Sequence, residues 1–147
     1  MSAEAALPAP DDFRFLHQVD VRFRDLDPMG HAHHSLPLMY WEEARAKYWR
    51  EVAGREAVLD IDYVMGEVTL RYHRRILYPA RLTAGVRVTR LGRSSFEMAY
   101  GLWDVAGEIL SSGGSTQVLY DYAAGRSKPF DAETRRRIEA HEGRALT

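Results

Sequence analysis

Between residues 21 and 35 the chain reads Val21-Arg22-Phe23-Arg24-Asp25-Leu26-Asp27-Pro28-Met29-Gly30-His31-Ala32-His33-His34-Ser35. Two carboxylates and three imidazoles thus stand in one short segment, between an alternating apolar stretch and a long aromatic one. A helix beginning just after this segment presents unpaired backbone N–H groups and the positive end of its dipole. Such a terminus can hold an oxyanion as charge develops on a carbonyl. A carboxylate beside the same point can attack that carbonyl or activate water against it. The segment therefore supports acyl transfer to water. Two other readings of the same residues stay open. The segment can be a solvated loop whose aspartates cap turns, and His31, His33 and His34 can ligate zinc, although their spacing is permissive and no distant ligand stands out. An amidohydrolase-type His-x-His is excluded, because 147 residues cannot build the roughly 250-residue barrel it needs.

The elements that must position these residues are legible from periodicity. Phe13, Phe15, Val19, Val21 and Phe23 fall on odd positions, which predicts a strand with one buried face. Asp25 to Gly30 ends it, with Pro28 and Gly30 as punctuation. A helix is predicted over about 35–52, with Ser35 as N-cap and Pro37 in the first turn, where its missing N–H costs nothing. Tyr40, Ala44, Tyr48 and Val52 repeat at i+4 beside Leu38, Trp41 and Trp49, a wide apolar sector that needs a broad cover such as a sheet. Aromatics at this spacing are read as core before they are read as pocket lining. Glu43 and Lys47 are expected to pair at i,i+4 on the opposite side.

Strands are predicted through Val68, Leu70 and Tyr72, ending at Tyr78-Pro79, then Leu82 to Val88, Phe96 to Leu102, and Ile109 to Tyr120. They are joined mostly by tight turns at Leu91-Gly92-Arg93 and at Asp104 to Gly107. Gly113-Gly114 inside the last strand indicates a bulge or a close backbone approach. A final helix starts at Asp131, a good N-cap, and runs to about His141. The order is an α+β layer fold, one long helix packed on an antiparallel sheet.

Composition narrows the function classes. The chain is one domain by length, read as a flexible leader over residues 1–12 and a single domain over 13–147. Lys and Arg number 20 against 21 Asp and Glu, so no nucleic-acid or anionic-membrane partner is implied. Cysteine is absent, which excludes disulfides, thiol nucleophiles and thiolate metal sites. The leader has neither the basic nor the apolar region of a secretory signal, and no run approaches the ~20 apolar residues of a membrane span. A cytoplasmic protein is expected.

The stretch Val21 to Trp49 resembles the first strand, catalytic loop and central helix of the 4-hydroxybenzoyl-CoA thioesterase family of the hotdog superfamily. That family reads Asp-x-Asp, two residues, Gly, a His-Val-Asn-Asn or related stretch, then an aromatic helix with Glu-Glu-Ala-Arg. This chain gives Asp25-Leu26-Asp27, Gly30-His31 and Trp41-Glu42-Glu43-Ala44-Arg45. Looser likeness extends through Leu91 to Phe96 and Val118 to Asp121. The resemblance implies a hotdog fold, an antiparallel five-stranded sheet wrapped around the central helix, in a homodimer or homotetramer with active sites at the subunit interface. It implies hydrolysis of an acyl-CoA, or of an acyl-carrier-protein thioester, without metal or redox cofactor. Asp27 matches the catalytic carboxylate, nucleophile or general base. His34 matches the position whose backbone N–H polarises the thioester carbonyl, and Gly30, beside His31, permits the turn. Arg93, Ser94 and Ser95 match a turn that lies near the CoA arm. Another hotdog branch uses a helix glutamate, which makes Glu43 a reserve candidate. Many members carry two asparagines where His33 and His34 stand here, and a titratable pair can tune a neighbouring carboxylate. Other hotdog domains dehydrate, isomerise or only bind acyl thioesters, so the fold alone leaves those alternatives open.

Overall fold

In the computed structural model, which describes residues 6–147, each stretch of period-two alternation contains a strand. The strands are β1 (Phe15–Asp20), β2 (Tyr63–Tyr72), β3 (Arg81–Leu91), β4 (Ser95–Trp103), β5 (Ile109–Asp121) and β6 (Arg126–Ser127); the helices are α1 (Leu36–Glu51) and α2 (Ala132–Glu142). The first strand is shorter at both ends than its alternation predicts. Its C-terminal flank, Phe23–Asp25, winds into a 3-10 turn because the Asp25 carboxylate accepts the Arg22 N–H and fixes the chain locally. Of the leader read at 1–12, residues 1–5 lie outside the described residues. Pro10–Asp12 forms a 3-10 turn, and Trp103 Nε1 donates to the Pro8 carbonyl at 3.0 Å.

The sheet runs β1-β3-β4-β5-β2, antiparallel throughout, with β6 paired to β5. Tight turns join β3 to β4 and β4 to β5, as expected. The step from β2 to β3 is different. These strands are sequence neighbours but lie at opposite parts of the sheet, linked through residues 73–80 with a cis Tyr78–Pro79 bond. Two residues of β6 are too few to carry a periodic signal. At Gly113 a Cβ would stand 2.2 Å from the Thr69 carbonyl oxygen and 3.1 Å from the Trp41 ring, so close approach is the reason for glycine there. Register shifts occur elsewhere, between Met65 and Glu67, Val88 and Arg90, and Leu102 and Trp103.

The sheet curls around α1, whose Trp41, Ala44, Tyr48 and Trp49 are essentially fully buried. Trp41 stacks on Tyr100 at 5.1 Å and donates its indole N–H to the Gly101 carbonyl; Trp49 stacks on Phe96 at 4.9 Å. Each ring removes a large apolar area from water and its one polar atom has a partner. Helix α2 begins at Asp131, whose carboxylate accepts the Thr134 N–H at 2.6 Å, and it plugs one end of the barrel-like sheet with Ile138. The result is the hotdog arrangement. No helix among the described residues is long and apolar enough to cross a membrane. β2 has one free edge and is exposed over most of its length. The unpaired edge of a ten-residue strand is a ready template for another chain.

Candidate active site

The loop after β1 is a small, fully pinned turn. Asp27 donates its N–H to the His31 carbonyl, and Gly30 donates to the Asp27 carbonyl, both at 3.0 Å. Gly30 sits at φ 87°, where an L side chain is strained, although a Cβ there would touch nothing. Conformation, not space, requires this glycine. Ala32 then donates to the Ile76 carbonyl and His33 to the Asp25 carbonyl, both at 2.8 Å, which fastens the loop to the β2–β3 link.

The two aspartates of Asp25-Leu26-Asp27 serve opposite purposes. Asp25 is buried and accepts from the Arg22 backbone, the Arg22 guanidinium and the Tyr40 hydroxyl. Burial pushes its carboxyl up, but these donors outweigh burial and hold it below the usual range. Beside it, Tyr40 is driven far above the ordinary phenol value by burial and by the Asp25 charge. Asp25 is a structural anchor. Asp27 is half-buried and its side chain accepts only the Met29 N–H, at 2.9 Å. One of its carboxylate oxygens therefore stays available.

Helix α1 begins differently from expectation. Ser35 occupies the N-cap position but has helical dihedrals and makes no side-chain cap bond. Its hydroxyl lies 2.8 Å from His33 Nδ1, which also accepts the Ser35 N–H at 3.2 Å. The imidazole of His33 thus takes over part of the capping, and the proton is left to Nε2. His34 stacks against His33 at 3.9 Å between ring centres. The His34 N–H has no hydrogen-bond partner among the described residues, while its carbonyl accepts from the Tyr72 hydroxyl.

A half-open cavity of about 270 Å³ lies where these parts meet. Asp27, His31, His33 and His34 line it together, with Pro37 of the first helical turn. Sequence reasoning did not single out four other residues of its wall: Tyr72, Arg74, Arg75 and Ser111. The signal available for two of them was the basic run His73-Arg74-Arg75 directly after a strand. Arg74 and Arg75 are exposed at the rim, and Arg74 reaches Glu108 at 3.3 Å.

Other expected residues lie elsewhere within one chain. The turn Arg93-Ser94-Ser95 is closed by the Gly92 N–H on the Ser95 carbonyl, and its Arg93 and Ser94 carbonyls accept from the Phe130 and Leu119 N–H groups. Ser95 is paired with Val118 and Leu102 with Ser111, so seven residues of strand, roughly 23 Å, separate that turn from the cavity. Glu43 is also outside the cavity, facing a second groove on the far side of α1. It does not pair with Lys47. Its carboxylate lies 3.0 Å from His17 Nε2, because β1 runs alongside the helix and brings an imidazole within reach. Among the described residues no three His, Asp or Glu side chains converge into a metal-sized cluster, and His33 Nδ1 is already occupied by Ser35.

Comparison with known proteins agrees with this geometry. The Thioesterase superfamily profile matches residues 29–111, more than half of the chain. A thioesterase from Thermus thermophilus, crystallised with coenzyme A and Zn, is 35% identical with a TM-score of 0.84, over 92% of this chain and 99% of that one. A thioesterase-superfamily protein from Jannaschia sp. CCS1 is 25% identical with a TM-score of 0.79, over 93% and 98% of the two chains. The uncharacterized protein YsmA of Bacillus subtilis (strain 168) is 25% identical over 121 residues, 82% of each chain. The chain belongs to the thioesterase superfamily, in the hotdog fold. The profile match opens at Met29, two residues past Asp27, and does not include that carboxylate.

Proposed function

We propose that this chain hydrolyses acyl-CoA thioesters, with Asp27 as the catalytic carboxylate and the start of α1 at His34 as the oxyanion site. The observation that carries this reading is one cavity wall holding both an under-bonded carboxylate and a free backbone N–H at a helix start. The reaction is RCO–SCoA + H2O → RCOOH + CoA–SH. As general base, Asp27 takes a proton from water while the water oxygen bonds to the carbonyl carbon; the C–S bond then breaks and the thiolate recovers the proton. As nucleophile, the Asp27 carboxylate bonds to the carbonyl carbon and the C–S bond breaks, expelling the CoA thiolate. Water then opens the resulting anhydride to the acid and Asp27, and the proton it gives up goes to the thiolate. In both, negative charge on the carbonyl oxygen is met by the His34 N–H at the helix start. The crystallised relative that holds coenzyme A supports CoA as the donor over a carrier protein.

A homodimer through the free edge of β2 fits this site. Antiparallel pairing of two β2 strands about their middle sets Tyr72 of one copy against the Tyr63 end of the other. Tyr63 pairs with Leu119, next to the Arg93 turn. The partner's turn then approaches the cavity that its own chain cannot reach, joining Arg74 and Arg75 as phosphate partners. The cavity of one protomer, about 270 Å³, accommodates a short acyl group.

The test is thiol release from short, long and aromatic acyl-CoAs, comparing wild type with Asp27→Asn. Release by wild type that falls about 10²–10⁴-fold in the variant is expected. Equal release by a folded Asp27→Asn would remove Asp27 from the mechanism. Water addition to an enoyl-CoA without thiol release would assign a dehydratase instead.

A further inference from the structure

β5 carries three serines, and two of them are satisfied. Ser112 Oγ lies 2.8 Å from His73 Nε2, and Ser115 Oγ bonds to Tyr100 and Gln117. Ser111 is fully buried, and its Oγ has no partner among the described residues. Its place on the strand says where it faces. Alternate residues of β5 turn toward α1, and a Cβ at Gly113 would meet the Trp41 ring, so Ser111 stands on that same inner face, one strand step nearer the helix start. There it lines the cavity shared by Asp27 and Pro37. Met29, Ala32, Pro37 and Ile76 supply the apolar part of that lining.

A buried hydroxyl without a partner is unfavourable, and leaving it so is a recurrent mark of a site completed by ligand. A polar atom set among apolar groups fixes the orientation of what binds there. We propose that Ser111 is a specificity residue that selects short acyl groups carrying a hydroxyl or carbonyl oxygen along the chain. The inference rests on the acyl-thioester reading of the cavity and names the substrate class within it. The Ser111 hydroxyl both donates and accepts, so it serves a hydroxy and an oxo substituent alike. An unsubstituted chain of the same length leaves it unpaired.

The experiment compares butyryl-, 3-hydroxybutyryl-, 4-hydroxybutyryl- and 3-oxobutyryl-CoA on wild type and Ser111→Ala. Wild type should favour at least one oxygenated chain over butyryl by on the order of tenfold in kcat/KM, and the ratio should fall to about one in the variant. No preference in wild type, or a preference that survives in Ser111→Ala, overturns the proposal. If wild type releases no thiol, the hydrolytic reading fails by itself, and equilibrium binding of the same four ligands still decides Ser111 by the same ratio. Thermal unfolding adds a check: a Ser111→Ala that melts no lower than wild type is expected, and a lower Tm would reveal a structural partner for Oγ and overturn the assignment.

Discussion

Toward the C-terminal end of α1 most strong polar groups are spoken for, although His141 Nε2, packed against Tyr48, has no partner among the described residues. Trp49 Nε1 donates to Asp62 at 2.6 Å, Arg55 makes two bonds to the same carboxylate, and Lys128 lies 2.7 Å from it. Tyr48 donates to Glu142, and the buried Arg45 guanidinium is held by the hydroxyls of Tyr63 and Tyr100. At the N-terminal end of the same helix, Asp27 accepts one bond, the His34 N–H none, and Ser111 Oγ none. One helix on one sheet thus has a largely saturated end and a less saturated one. The largely saturated end supplies stability and a unique packing; the less saturated end forgoes those bonds and keeps its donors and acceptors for a ligand.

That contrast can be broken by substitution. The largest effect is expected at Asp27→Asn, a loss of about 10²–10⁴-fold in turnover with an unfolding midpoint close to wild type. Asp25→Asn, two residues away, should do the reverse and lower stability by about 2–3 kcal/mol, since a buried carboxylate with charged donors is removed. If denaturant unfolding finds Asp25→Asn as stable as wild type, the anchoring role assigned to it is wrong. Next comes Asp62. Burial raises its carboxyl, but the Arg55, Lys128 and Trp49 donors outweigh burial and hold it at about 2 against the ordinary 3.8. A folded value below the unfolded one adds stability that is complete above the ordinary value and is lost as pH falls through 3.8 toward 2. Unfolding free energy of wild type should therefore drop by about 2 kcal/mol across that window relative to Asp62→Asn. Parallel pH profiles of the two proteins would contradict it.

Smaller effects sharpen the picture at the loop. Gly30→Ala places a side chain at φ 87° and should cost about 1 kcal/mol, with turnover reduced further by the displaced turn. Calorimetry and thiol release on one preparation separate the two. Tyr72→Phe removes the hydroxyl that holds the His34 carbonyl on an exposed surface. A loss of no more than about 1 kcal/mol in stability, with a several-fold fall in turnover, is the expected outcome.

Much of this molecule is legible in one dimension. Alternating apolar residues become β3, β4 and β5 because burial of one face is a local, repeated demand that the period of a strand translates directly. The i+4 aromatics of residues 40–52 become the buried face of α1, and the Asp131 cap and the glycine turn at 30 hold because capping and positive φ are decided by neighbouring atoms. The segment 25–34 is recognisable for the same reason, since carboxylates, imidazoles and a helix start adjoin in the sequence. Long-range geometry decided the rest. Asp25 is locked by Arg22 close by but also by Tyr40, fifteen residues on, and that Glu43 pairs with His17 depends on where β1 lies. The passage of β2 to the far edge of the sheet brought Tyr72, Arg74 and Arg75 to the cavity and left an edge free. Ser111 reads as an ordinary strand serine until the curl of the sheet buries it beneath the helix start. Local periodicity fixes which face a residue turns; only the closed packing of sheet on helix fixes what that face meets.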